Sequence, residues 1–162
     1  MDNIVGFELS KKLVYELTKR NLKISSSESC TGGMFAKMIT DVAGSSAVLD
    51  EAYITYANKA KEKILGVRHE TLERYGAVSS HTASEMVSGL KRVSGADICV
   101  CFTGIAGPGG GTPEKPVGLV YVGLIINDEK EILKLNLEGV RDSVRCSACN
   151  TVIEHILKKL KK

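Results

Sequence analysis

Short β-prone runs alternate with amphipathic helical patterns along this chain, and that order constrains the fold more than any other feature. Leu9, Leu13, Val14 and Leu17 mark one apolar face, so the spacing predicts a helix over residues 7–22. A short strand at 22–26 leads into a Ser/Gly-rich turn, followed by a helix at 34–40 that ends at Gly44-Ser45-Ser46. Residues 48–56 suit a strand, with Tyr53, Ile54, Thr55 and Tyr56 as its best β-formers. Helical segments follow at 58–65, stopped by Gly66, at 70–75, stopped by Gly76, and from Ser79 to about Val93, where Glu85 fits a capping arrangement with Thr82. A strand at 97–103 runs into the glycine-rich stretch 104–113. Strands at 117–127 and 131–137, separated by Asn127-Asp128-Glu129-Lys130, then read as a hairpin. A helix over 140–159 closes the pattern. This order implies a three-layer α/β/α sandwich around a mixed, mostly parallel sheet of about five strands, with residues 1–162 as one domain.

Composition narrows the function classes. At 43% apolar and 25% charged residues, the chain is an ordinary globular one. A net charge of +3 is too small to argue for nucleic acid, and the Lys-rich stretch 158–162 reads as a solvated helix end, where cations suit the dipole. No run approaches membrane-spanning length and no signal-peptide pattern opens the chain, so a cytoplasmic protein is expected. The five cysteines, Cys30, Cys99, Cys101, Cys146 and Cys149, are odd in number and argue against a disulfide framework. Cys146 and Cys149 have C-x-x-C spacing but lie in a helical pattern without a second ligand pair. Buried thiols rather than a metal site are expected.

Two glycine-rich turns, residues 28–33 and 104–113, each follow a strand. In open α/β sheets ligands gather beyond the carboxyl ends of strands, so both turns can line one crevice. The second turn lacks the Lys-Ser/Thr of a P-loop, and Thr112 stands where the last glycine of G-x-G-x-x-G belongs; ATP and dinucleotide cofactors are therefore not expected. The first turn offers hydroxyls, a thiol and a helix start whose N–H groups suit an oxyanion or phosphate, or it is simply an N-cap with its turn. Ser29, Cys30, Ser45 and Ser46 are the candidate nucleophiles. Of the three histidines, His155 falls in the last helical segment and His69 precedes a helical turn, each as a surface or capping residue, and lysine is the alternative base. Lys59 and Lys61 follow the strand that ends at Tyr56. Arg141 and Arg145, one helical turn apart, either clamp a phosphate or form a solvated face.

Glu28-Ser29-Cys30-Thr31-Gly32-Gly33, Gly44-Ser45-Ser46-Ala47, Tyr56-Ala57-Asn58-Lys59-Ala60-Lys61, Gly76-Ala77-Val78-Ser79 and the Thr103-Gly104-Ile105-Ala106-Gly107-Pro108 stretch running on to Gly118 together resemble the CinA C-terminal domain family, in order, from about Leu9 to Ile156. Members of that family are nicotinamide mononucleotide (NMN) deamidases. The molybdopterin-binding-like domain that precedes this unit in longer relatives is absent, so the chain looks like the stand-alone form. The resemblance implies hydrolysis of the NMN carboxamide in pyridine-nucleotide salvage, by a homo-oligomer that needs no cofactor. The family's serine–lysine chemistry maps onto Ser29 as nucleophile and Lys61 as base, with Ser46 and Tyr56 supporting or relaying protons. Glu28, Thr31, Gly32, Gly33, Ser45, Thr103, Gly104 and Gly107 would contact substrate, backbone N–H groups at 31–33 or 104–105 would hold the oxyanion, and Arg145 with Arg141 would hold the 5′-phosphate. Ser27, Ala57, Lys59 and Val140 depart from the family's common alanine, serine, glutamate and aspartate. Lys59 would depress the Lys61 pKa by like-charge repulsion. The alternative is a non-catalytic module that binds pyridine nucleotides or a protein partner in the competence or damage response.

Overall fold

The computed structural model describes residues 2–161 and contains six α-helices, one short 3-10 turn and five strands. In chain order these are α1 (Asp2–Arg20), β1 (Ile24–Glu28), α2 (Met34–Thr40), the 3-10 turn Ser45–Ala47, β2 (Leu49–Ile54), α3 (Asn58–Leu65), α4 (His69–Tyr75) and α5 (Ser80–Ser94). Next come β3 (Ile98–Gly104), β4 (Leu119–Ile126), β5 (Glu129–Asn136) and α6 (Arg141–Lys159). The strands form one sheet in the order β2-β1-β3-β4-β5. β1 pairs in parallel with β2 and β3, whereas β4 is antiparallel to both β3 and β5. Only β4 is reversed, so four of the five strands point the same way and the mixed, mostly parallel sheet is as expected.

Alternation along β3 shows how the layers form. Ile98, Val100 and Phe102 pack beneath α1, α2 and α6 with Leu13, Leu17, Phe35, Val144 and Val152. Cys99 and Cys101 face the other side, against Met86, Val87 and Leu90 of α5 and Leu65 of α3. Because successive side chains on a strand point to opposite faces, a continuously apolar strand covered on both sides is the expected center of such a sandwich. All five cysteines are buried and unpaired by disulfide. No helix among the described residues is long and apolar enough to cross a membrane.

Two local expectations are corrected. β1 lies at Ile24–Glu28 rather than at 22–26, so three serines and a glutamate lie buried in an interior strand, between β2 and β3. Their polar groups are satisfied in place: Ser25 Oγ accepts from Glu51 N at 3.2 Å, Ser26 Oγ donates to Glu28 Oε1 at 3.3 Å, and Ser27 Oγ lies 3.0 Å from Thr55 Oγ1. The α5 cap is Ser79, whose Oγ accepts from Thr82 N at 3.1 Å. Glu85 instead joins α4 to α5, its carboxylate accepting from Arg68 N at 2.8 Å and from Thr71 Oγ1 at 2.7 Å.

Candidate active site

The loop after β1 enters α2 on one face of the sheet, and the loop after β2 enters α3 on the other. Adjacent parallel strands whose exits diverge in this way leave a crevice between their carboxyl ends. Ser29 stands at the first exit and Lys61 on the first turns of α3 at the second. The Lys61 Nζ donates to Ser29 Oγ at 3.1 Å, to Thr55 O at 2.9 Å and to Tyr56 O at 3.0 Å. Ser29 Oγ also donates to Tyr56 O at 3.4 Å. Helical side chains lean toward the helix N-terminus, which carries Lys61 back across the end of β2 to reach these carbonyls.

Lys61 is 1% exposed. Burial disfavours its ammonium and holds its pKa below the ordinary lysine value; Lys59 is exposed and is not the cause. A neutral amine has two N–H donors and one lone pair. When Lys61 is neutral, the Thr55 and Tyr56 carbonyls can keep its two N–H donors while the contact to Ser29 reverses, the serine hydroxyl turning from the Tyr56 carbonyl to donate to the Nζ lone pair, which is the arrangement a general base requires. The neighboring thiols are not competitors at neutral pH: burial pushes Cys30 up to about 11 and Cys101 up to about 12.

Ser29 and Lys61 open into a cleft of about 270 Å³ lined also by Cys30, Tyr56, Thr103, Gly104, Gly107 and Arg141. Arg141 spans its mouth, donating to Gly107 O at 2.8 Å and lying 3.5 Å from the Tyr56 hydroxyl. Thr103 Oγ1 donates to Ala77 O at 2.6 Å and fixes the floor to the α4–α5 loop. Gly104 must be glycine, since a Cβ there would meet Leu119 O at 2.7 Å.

Other expected site residues lie elsewhere or are engaged. Ser45 and Ser46 precede β2, at the amino ends of the strands, whereas Ser29 follows β1 at their carboxyl ends; neither serine can serve the Ser29–Lys61 pair within this chain. Glu28 is 1% exposed and turns beneath α2, its carboxylate accepting from Gly33 N at 3.0 Å, Phe35 N at 3.1 Å and Ala36 N at 2.9 Å. It caps that helix and takes the Gly33 N–H, one of the donors expected for an oxyanion. Gly32 N–H goes to Ser29 O and Ile105 N–H to Leu119 O, both within the protein. Among the described residues the Ala106 N–H, at the cleft wall, has no protein acceptor. Arg145 does not line the cleft; it donates to Thr31 O at 2.8 Å and lies 3.4 Å from Asp142. Sequence reasoning missed the Thr55 and Tyr56 carbonyls, because backbone acceptors leave no trace in residue identity. His69, His81 and His155 are all away from the cleft, against Glu62 and Glu73, Tyr75, and Glu131 respectively. The described residues contain no cluster of three His, Cys, Asp or Glu side chains able to hold a metal.

A mixed-sheet α/β/α protein with a buried lysine against a serine, set in a glycine-lined cleft at the strand exits, is the class that fold and site define. The CinA C-terminal domain model matches residues 7–160, and the chain belongs to that family. It is 48% identical over 157 residues to a CinA-like protein of Kosmotoga olearia, covering 96% of this chain and 38% of that one. The chain spans between 33% and 39% of the length of such curated relatives. Among solved structures, the competence/damage inducible protein CihA of Agrobacterium tumefaciens superposes with a TM-score of 0.92 at 41% identity, covering 98% of this chain and 96% of that one. A competence or damage-inducible protein of Enterobacter asburiae gives 0.90 at 35% identity, with coverage of 96% and 98%.

Proposed function

We propose that this chain hydrolyses the carboxamide of NMN to nicotinate mononucleotide and ammonia, as a step of pyridine-nucleotide salvage. The substrate follows from the family resemblance. The chemistry rests on one observation, the buried Lys61 amine 3.1 Å from the Ser29 hydroxyl.

Ser29 Oγ forms a bond to the carboxamide carbon while its proton passes to Lys61 Nζ, and the carbonyl electron pair moves onto oxygen. Backbone N–H donors, Ala106 first among them, stabilise that oxyanion; one such donor is worth about 3 kcal/mol. The C–N bond then breaks, and the leaving nitrogen takes the proton from Lys61 to depart as ammonia. Water attacks the resulting Ser29 ester, gives its proton to Lys61, and releases the carboxylate as Ser29 recovers its hydrogen. The Tyr56 carbonyl orients serine and lysine together. Arg141 at the mouth binds the 5′-phosphate. Arg145 acts as a positioning residue, holding the loop that follows Ser29 by its Thr31 carbonyl.

Incubation with NMN should release ammonia and nicotinate mononucleotide in equal amounts. Ser29→Ala should lower turnover by about 10³-fold or more. Cys30→Ala should change it less than about threefold, because a protonated thiol is a poor nucleophile. Tight binding of NMN without product would instead favor a binding module.

A further inference from the structure

Two loops that wall the Ser29–Lys61 cleft are joined outside it by one lysine. The loop between β3 and β4 lends Gly107, Gly109 and Gly110 to the cleft, and the loop between α4 and α5 lends Ala77 and Val78. The β3–β4 loop is closed at its neck, where Ile105 N donates to Leu119 O at 2.9 Å and Gly118 N to Ile105 O at 2.8 Å. Arg141 holds Gly107 just beyond that neck. The tip, residues 108–116, is exposed apart from Lys115 and carries three glycines, so ordering it is costly. Within the tip the bonds are local: Thr112 N donates to Lys115 O at 2.8 Å, and Lys115 N to Thr112 Oγ1 at 3.0 Å. Among the described residues, one side-chain hydrogen bond ties the tip to a distant segment, from Lys115 Nζ to Tyr75 O at 2.6 Å.

The acceptor is the last carbonyl of α4, beyond the reach of any N–H of that helix and at the end where a cation suits the dipole. Its surroundings are braced, because the Tyr75 ring stacks on His81 of α5 with centroids 3.7 Å apart and planes within 8°. Gly76 leaves room for the ammonium, since a Cβ there would come within 3.0 Å of Lys115 Nζ. We propose that Lys115 is a positioning residue: it fixes the tip of the β3–β4 loop to the end of α4 and so sets the spacing of the two walls between which substrate packs. It does not line the cleft and touches no reacting group. Ser29 and Lys61 stand on other elements and Ala106 sits at the neck, so the chemical step does not pass through this strut. Its loss falls on binding, when substrate must order the tip. The kinetic consequence rests on the deamidation proposed above; the mechanical one does not.

Lys115→Met keeps most of the side chain and removes the donor. In NMN turnover it should raise KM about fivefold or more and leave kcat within about twofold of the parent, because the cost is one of ordering. Lys115→Arg, which restores a donor, should bring KM back to within about twofold. Amide hydrogen exchange reads the strut without substrate. Thr112 and Gly76, whose N–H groups donate to Lys115 O and Leu72 O beside the two walls, should exchange about tenfold faster in Lys115→Met, while Gly118 at the neck keeps its parent rate. The assignment is overturned if Thr112 or Gly76 exchanges as in the parent, if Gly118 quickens with them, if the loss falls on kcat alone, or if the arginine variant behaves as the methionine one. A parent that does not turn over NMN would sink the deamidation, and exchange alone would then decide the strut.

Discussion

At the scale of single residues, the burial of Lys61 makes the reaction pH-dependent in a definite direction. Its folded pKa lies below the ordinary 10.5, so kcat/KM should rise with pH as the ammonium loses its proton, with a midpoint under that value. The same shift links to stability. Between the lowered folded value and 10.5, the unfolded chain holds a proton that the folded chain lacks, so stability rises with pH through that window. It is full above 10.5, is lost as pH falls toward the folded value, and is level below it. Lys61→Met should abolish the rate limb and lower kcat by about 10²- to 10⁴-fold. Urea denaturation across the same pH range should show a flatter stability profile for that variant. The family resemblance pointed to the Ser29–Lys61 pair, which the structure brings within 3.1 Å, whereas it put Arg145 ahead of Arg141, and it is Arg141 that lines the cleft. Ser45 and Ser46 were misplaced, because the motif resemblance put them at the site while the topology does not: residues that enter a parallel strand cannot meet those that leave its neighbor.

At the scale of elements, two contacts decide how the site is held. The Glu28 carboxylate receives two α2 N–H groups and that of Gly33 just before the helix, and the favorable field at a helix start adds to them. Glu28→Ala should therefore destabilise by about 2–3 kcal/mol, since hydrogen bonds to a charged group are among the strong ones. It should also lower kcat, because Ser29 is the next residue. Urea midpoints and NMN turnover on one preparation check both effects. On the opposite face α5 crosses α3 at Gly89, where a Cβ would fall 1.9 Å from Leu65 O. Alanine gains about 1 kcal/mol over glycine in helix propensity. The backbone clash outweighs that gain, so Gly89→Ala should lower stability by roughly 2 kcal/mol net in thermal denaturation. The pattern of apolar periodicity and turn residues gave the type and order of the six α-helices and five strands, but not the 3-10 turn at Ser45–Ala47. It misplaced β1, because a buried strand of hydroxyls carries no hydrophobic signal, and it gave α5 the wrong cap, because Glu85 answers to Arg68 and Thr71 across a tertiary contact.

At the scale of the whole molecule, the cleft is assembled from distant stretches of chain. Loops after β1, β2 and β3 supply Ser29, Tyr56 and Gly107, and α6 closes over them with Arg141. The three-layer sandwich was legible from element order, and it places the first two loops at diverging strand exits. The closure by α6 was not, since the reach of Arg141 to Gly107 O depends on how the last helix packs. A ligand that touches all four segments should stabilise them together. In Ser29→Ala, which holds substrate without converting it, NMN at a hundredfold excess over its Kd should add about 2.7 kcal/mol. For a chain of this size that corresponds to a rise in Tm of roughly 5–10 °C. Nicotinamide riboside, which lacks the phosphate, should give a clearly smaller rise at the same concentration. Arg141→Gln should erase that difference while leaving the riboside response in place. An equal response to both ligands in the parent would place the phosphate outside the reach of Arg141, and with it the orientation that brings the carboxamide to Ser29.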